Sequence, residues 1–282
     1  MNPSADWINH NGVFLPAGTP VLTAGNRGFR YGDGLFETLL IKKGQIRLRD
    51  YHFHRLFTGI DLLRFTKPAL FTPASLEKQI LRLCERNDHT ALARVRLVVF
   101  RGDGGLYDPQ TLHPHYLIES WPLRSDDTGI NENGLVIDIY PDGQKPCDPI
   151  ANCKSNNFLL YVLAALYAKD HRLNDCLVLN SHHRLADSTI ANLFYVKQGQ
   201  VFTPPLSEGC VAGVMRRFLL ATLPGAGFPV HERPVTAEDL LQADEVFLTN
   251  AIKGIRWVRE FRTAQYASTL SGTIYRQLIK EM

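Results

Sequence analysis

The sequence predicts an α+β chain of two domains, 1–121 and 135–282, joined by a linker. Three observations carry this. Segments with an apolar period of two and segments with a helical period are mixed along the chain, without the strict alternation of a doubly wound fold. The stretch PLRSDDTGINENG (122–134) is Pro-, Gly-, Asp- and Asn-containing and offers almost nothing to bury, which marks the linker. A length of 282 residues suits one large domain or two of ordinary size.

In the first domain, LFETLLI (35–41) and QIRLR (45–49) flank the turn KKG, a hairpin signal. YHFHRLFTGIDLLRF (51–65) spaces Phe53, Leu56, Phe57, Ile60 and Leu63 at a helical period. SLEKQILRLCERN (75–87) repeats that period behind Ser75 as an N-cap. ARVRLVVFR (93–101) and HYLIESW (115–121) read as half-buried strands. Beyond the linker, LVIDIY is a strand and 156–170 a helix, followed by short strands at CLVLN, NLFYVK and QVFTPP. Helices are predicted at 211–223, at TAEDLLQA behind a Thr cap, and at 266–281, with DEVFLTNA as a strand.

Composition excludes several classes. Hydrophobic residues make up 45% and charged residues 21%, as in an ordinary globular protein. A net charge of +3 without a long basic run gives nucleic acid no footprint. The longest apolar run, Phe158 to Ala168, is 11 residues, whereas a membrane span takes roughly 20. MNPSADWINHNG has neither a basic nor an apolar leader segment, so no secretory signal is expected. The five cysteines are odd in number and lack a CxxC pair, as expected of reduced thiols in a cytoplasmic protein. The histidine pairs HFH, HPH and HH do not fall at i, i+4 on one helix with an acid nearby, so no metal is expected. GDGG lacks the GxxxxGK[ST] nucleotide loop.

Lys154 stands in PIANCKSNNFLLYVLAALYAKDHRL (149–173), at the mouth of that apolar run. Ser155, Asn156 or Asn157 can cap the helix, which is apolar on nearly every face and so is predicted to be buried. A lysine at the edge of a buried element loses solvation, which favours the neutral amine that carbonyl condensation requires. The ordinary alternative is a helix-flanking lysine whose stem carries the charge to water.

A resemblance chooses between them. RGFRYGDGLFETLLIKKGQIRLRDYHFHRLFTGIDLLRF (27–65), CKSNNFLLYVLAALYAKDHRLNDCLVLN (153–180), LADSTIANLFYVKQGQVFTPPL (185–206), GVMR (213–216) and ADEVFLTNA (243–251) resemble, in order and approximate spacing, the fold-type IV pyridoxal-phosphate-dependent family. That family comprises branched-chain and D-amino-acid aminotransferases and aminodeoxychorismate lyases. The resemblance covers about residues 25–260. It implies a smaller N-terminal α/β domain, a larger C-terminal domain with a barrel-like sheet, pyridoxal 5'-phosphate as cofactor, and a homodimer. It also implies that Lys154 forms the internal aldimine and then shuttles the proton at the substrate's Cα.

The cofactor's other needs select further residues. Arg55 matches the family's phosphate-binding arginine, and Gly213, Val214 and Met215 open a predicted helix whose N–H groups suit a phosphate. The pyridine nitrogen needs a carboxylate, and the family places a glutamate five residues before the Asn of its N-[IL]-F motif. Here that Asn is Asn192, and the position holds Asp187, shorter by one methylene. Some family members carry a phosphate-binding hydroxyl where this chain has Ala251; Thr249 or the backbone of Asn250 can compensate. The substrate carboxylate needs a cation, with Arg30, Tyr31 and Arg101 as candidates.

The expected activity is transfer of an amino group between an amino acid and a 2-oxo acid. One alternative is aminodeoxychorismate lyase, which eliminates pyruvate in folate synthesis. Another is a non-catalytic binder on the same fold, with Asp187 and Ala251 recording decay of the site.

Overall fold

The computed structural model describes residues 7–125, 128–280 and 282. The chain forms two compact units. One runs from Met1 to Asp127 and takes in Lys154–Asn157; the other comprises Thr128–Cys153 and Phe158–Met282. The division falls inside the 122–134 stretch predicted as a linker, of which residues 126 and 127 lie outside the described residues. The first six residues of the leader reading also lie outside them.

The first unit holds β1 (Trp7–His10), β2 (Val13–Pro16), α1 (Arg27–Tyr31), β3 (Gly34–Lys42), β4 (Gln45–Ile46), α2 (Arg49–Leu62), α3 (Pro73–Arg86), β5 (Leu92–Arg101) and β6 (Pro114–Pro122). Its strands form one sheet in the order β2-β1-β6-β5-β3-β4, with each neighbouring pair antiparallel. The β3–β4 hairpin turns through Lys43 and Gly44, both at positive φ, which is the two-residue geometry that matches strand twist. α2 packs on β3, and α3 on β1 and β6, burying Phe53, Leu56, Ile60, Leu76, Ile80 and Leu83. The cap of α3 is Thr72 rather than Ser75. Thr72 and Ser75 form a reciprocal capping box, and Pro73 takes the first helical position, where its missing N–H costs nothing.

The second unit holds β7 (Leu135–Lys145), α4 (Leu159–Asp170), β8 (Asp175–Asn180), β9 (Leu185–Ser188), β10 (Asn192–Lys197), β11 (Gln200–Thr203), α5 (Val214–Thr222), β12 (Val230–Glu232), α6 (Ala237–Leu241), β13 (Glu245–Asn250), β14 (Gly254–Phe261), β15 (Ala264–Gln265) and α7 (Leu270–Ile274). A mixed sheet runs β12-β11-β10-β13-β14-β7-β8-β9, with β15 on β14, and curls into a half-barrel. Leu177, Leu193, Tyr195, Val246, Leu248 and Val258 pack within it. The last predicted helix divides into α7 and a π-helical turn over Tyr275–Ile279.

Helix α4 departs from expectation. Tyr161, Ala164 and Ala168 pack against Tyr140, Cys176 and Val178, but Leu159, Val162, Leu163 and Leu166 are 45–66% exposed. These four lie at i, i+3, i+4 and i+7, a single stripe. The helix therefore has two apolar faces, only one of them covered by its own chain. Its N-cap is Phe158, with no side-chain capping bond, rather than Ser155, Asn156 or Asn157.

Candidate functional site

Lys154 is not on the helix that follows it. It belongs to a short extended segment, Lys154–Asn157, laid along the start of β3. The carbonyl of Lys154 accepts from Phe36 N at 2.8 Å, and Asn156 N donates to Gly34 O at 2.9 Å. Leu35 and Ser155 form the bridge between these bonds. The Lys154 side chain is half-buried, with Nζ 4.2 Å from the centre of the Phe36 ring.

The opposite face of β3 presents Leu35, Glu37, Leu39 and Ile41 to the core. Glu37 is 1% exposed and ties two side chains of α2 together. Arg55 Nε donates to its Oε1 at 2.7 Å, with a second, shorter bond from Nη2 to Oε2. His52 Nδ1 is 2.6 Å from Oε2. A carboxylate only accepts, so that ring nitrogen carries the proton, and His52 Nε2 is a bare, buried nitrogen with no partner among the described residues. Burial pushes the Glu37 carboxyl up, but Arg55 and His52 outweigh it and hold it at about 2. Burial lowers His52, assisted by the charges of Arg55 and Lys154 against the opposing pull of Glu37. Arg55 is therefore no solvated helix-face arginine; Glu37 takes two of its five N–H donors.

Of the substrate-carboxylate candidates, Arg30 and Tyr31 lie exposed on α1, with Arg30 Nε donating to Ala24 O at 2.7 Å. Arg101 is 8% exposed and committed within the fold: its guanidinium bonds Asp33 and the Leu63 carbonyl and stacks on Phe65 at 4.3 Å. Asp33 also accepts from Arg27 Nε at 2.9 Å, so one carboxylate holds two arginines. That geometry makes Arg101 a brace between Asp33, ahead of β3, and Leu63, at the end of α2.

In the second unit, Asp187 sits on β9, a strand rather than the turn that LADST allows, and is 2% exposed. It accepts from Val211 N at 2.8 Å, from Tyr161 Oη at 2.9 Å and from Lys145 Nζ at 3.1 Å. Burial first, and then the Asp187 charge, push the Tyr161 phenol well above its ordinary value, so it is a neutral donor. Asn192 opens β10 opposite Thr249 and donates to Val211 O at 2.8 Å. Gly213, the N-cap of α5, cannot carry a side chain, because a Cβ there would meet Asn192 Oδ1 at 1.8 Å. No side chain caps this end of α5, where Val214 and Met215 form the first turn. Thr249 Oγ1 is buried with no partner among the described residues. The Asn250 side chain instead shapes the turn that holds Ala251, accepting from Ile252 N at 3.1 Å and Lys253 N at 2.8 Å.

The model of the amino-transferase class IV family matches residues 34–261. The chain belongs to that family. This class IV family member is 32% identical to the aminodeoxychorismate lyase of Vibrio harveyi, over 82% of this chain and 84% of that one. It is similar in fold to 4-amino-4-deoxychorismate lyase from Pseudomonas aeruginosa, at 29% identity and a TM-score of 0.81, covering 96% of this chain and 99% of the other. It also shares the fold of a T.th. branched-chain amino acid aminotransferase complexed with N-(5'-phosphopyridoxyl)-L-glutamate, at 20% identity and a TM-score of 0.85, covering 96% and 92%. The family and its fold-type IV architecture thus agree with the resemblance read from the motifs, and the class uses pyridoxal phosphate.

Three polar residues of these clusters, Glu37, Lys145 and Tyr161, escaped the sequence reading of this class IV enzyme. Glu37 has a signal: it is the one charged residue on the apolar face 35, 37, 39, 41 of β3. Lys145 and Tyr161 have none, because their meeting with Asp187 depends on how β7, α4 and β9 pack. Among the described residues, no group of three or more His, Cys, Asp or Glu side chains assembles as a metal site, and no helix is long and apolar enough to cross a membrane.

Proposed function

We propose that this protein is a pyridoxal-phosphate-dependent aminotransferase that moves an amino group between an amino acid and a 2-oxo acid, with Lys154 as its catalytic residue. The observation that carries the reading is the pinning of Lys154: hydrogen bonds on both sides fix its backbone to β3, while its side chain stays half-buried over an aromatic ring. A proton carrier has to be held this way, because rate falls steeply when the reacting amine is misplaced.

Each unit, taken by itself, offers donors of the kinds the cofactor needs. Val214 and Met215 offer uncapped N–H groups to a phosphate, and Thr249 offers a buried hydroxyl in want of a partner. Arg55 adds a positive charge held in place by Glu37. Asp187 offers a carboxylate to the ring nitrogen, on a strand paired with β8 beside a register shift. Asn192 braces the Val211 backbone, whose N–H donates to Asp187. When bound, the cofactor supplies a carbonyl for the amino group and a ring that withdraws electrons from Cα. The Nζ of Lys154 removes the Cα proton and holds it for redelivery. Arg30 and Tyr31, exposed on α1, are left for the substrate carboxylate, since Arg101 is committed to Asp33.

A second reading, aminodeoxychorismate lyase, is favoured by the relatives at 32% and 29% identity, both lyases by name. The same Lys154 serves it. Turnover that requires a 2-oxo acid supports transfer; pyruvate release from aminodeoxychorismate without an amino acceptor overturns it in favour of the lyase. Borohydride treatment of the loaded protein should fix the cofactor covalently on Lys154, and Lys154→Ala should abolish that adduct and reduce turnover by several orders of magnitude. An adduct that persists in the variant, located by peptide mapping, would assign the role to another lysine.

A further inference from the structure

Between β11 and α5 the chain runs through residues 204–213, with one short 3-10 turn at Leu206–Glu208 and no other regular structure. The backbone groups of such a loop have no ladder to satisfy them, so their partners decide how firmly it is held. Asn152, in the same unit, takes three of them. Its side-chain amide donates to Leu206 O at 2.8 Å and to Cys210 O at 2.7 Å, across the turn at Gly209. Its own carbonyl accepts from Ala212 N at 2.9 Å. A Cβ on Gly209 would meet Pro146 O at 2.3 Å, so the turn lies against the segment that leads to Asn152. The stretch held in this way has two further ties. Val211 N donates to Asp187 at 2.8 Å, and Val211 O accepts from Asn192 Nδ2 at 2.8 Å. Gly213, next along, is the N-cap of α5.

We propose that Asn152 is a positioning residue: it fastens the 206–212 loop to the segment that leads into Lys154, and through that loop it sets Val211 N on Asp187 and Gly213 at the start of α5. The inference rests on the reading of Asp187 and α5 as holders of the cofactor. A single asparagine serves because its amide carries two donors on one nitrogen, enough for both carbonyls at once. Without that amide the two carbonyls turn to water and the loop gains conformers. Cofactor binding must then order the loop again, which weakens affinity.

The test uses the full chain, with and without pyridoxal phosphate, and two readouts other than turnover. One is amide hydrogen exchange at Val211 and Ala212; the other is the dissociation constant of the cofactor. In the unaltered protein both amides should exchange as slowly as those of β10, and exchange at the rate of an exposed loop overturns the proposal. Asn152→Ala should speed exchange at Val211 at least about tenfold while the amides of β10 and β13 keep their rates. It should also raise the dissociation constant about tenfold, which is the net worth of one or two hydrogen bonds. Asn152→Asp keeps the size of the side chain and removes both donors, so it should do at least as much harm. A dissociation constant for Asn152→Asp equal to that of the unaltered protein would mean that Asn152 only fills space, and overturns the proposal. If Asn152→Asp does not fold, Asn152→Ala decides by the same two readouts; if neither folds, exchange in the unaltered protein decides. Asp187→Asn separates the two readings. If it weakens cofactor binding and Asn152→Ala does not, Asp187 keeps its role and Asn152 loses the one proposed. If neither weakens binding while Asn152→Ala frees Val211, the loop is no part of the cofactor's site and both readings fall.

Discussion

At the scale of single residues, the polar groups of this chain work through partners the sequence does not show. Glu37 is the clearest case. Its depressed carboxyl, at about 2 against an ordinary 4.5, means that its contribution to stability is complete above pH 4.5 and is lost as pH falls toward 2. Resistance to denaturant should therefore fall as pH drops across that window. Glu37→Gln should flatten that limb and cost about 3–5 kcal/mol at neutral pH, because Arg55 loses its buried anion. Unfolding curves at several pH values with equal acid limbs in both proteins would contradict this. The charged residue within LFETLLI was visible as an anomaly of pattern. Its partners were not, since His52 and Arg55 approach it only once α2 lies on β3.

Among elements, periodicity carried most of the way. The helices at 49–62, 73–86, 159–170 and 214–222 fall close to their predicted spans, because a helix buries one stripe and the stripe is written every three or four residues. Short strands fared worse. The pair β1–β2 turns through Asn11 and Gly12 at positive φ, a strong turn signal, yet four-residue strands are too short to show a period. β9 carries the polar LADS on a fully buried strand, so neither alternation nor hydrophobicity marks it. At this scale the segment Lys154–Asn157 and β3 stand or fall together. A Cβ on Gly34 would meet Val99 O at 2.3 Å and Asn156 Nδ2 at 2.6 Å. Gly34→Ala should thus displace that segment and cut turnover at least tenfold while most of the fold, followed by circular dichroism, persists. Unchanged kinetics would show that the pinning of Lys154 is dispensable.

For the molecule as a whole, the family reading expects a homodimer, and α4 offers a surface for it. Leu159, Val162, Leu163 and Leu166 form an exposed apolar stripe, which costs free energy in water unless covered. Sedimentation should give twice the chain mass, and Leu163→Glu should shift the boundary toward the monomer with the helix content kept. A monomeric unaltered protein would refute this. Sequence alone could not separate the two faces of α4, since interface and core share one alphabet. The chain's path also carries a consequence for cutting it into pieces. A fragment ending at residue 127 would lack the partners of Phe36 N and Gly34 O, which arrive from residues 154 and 156. Its sheet would keep an unfinished margin, and complementation by a peptide spanning 150–160 should restore order there. The amine proposed to carry the chemistry thus sits on the very residues that complete the first unit's fold.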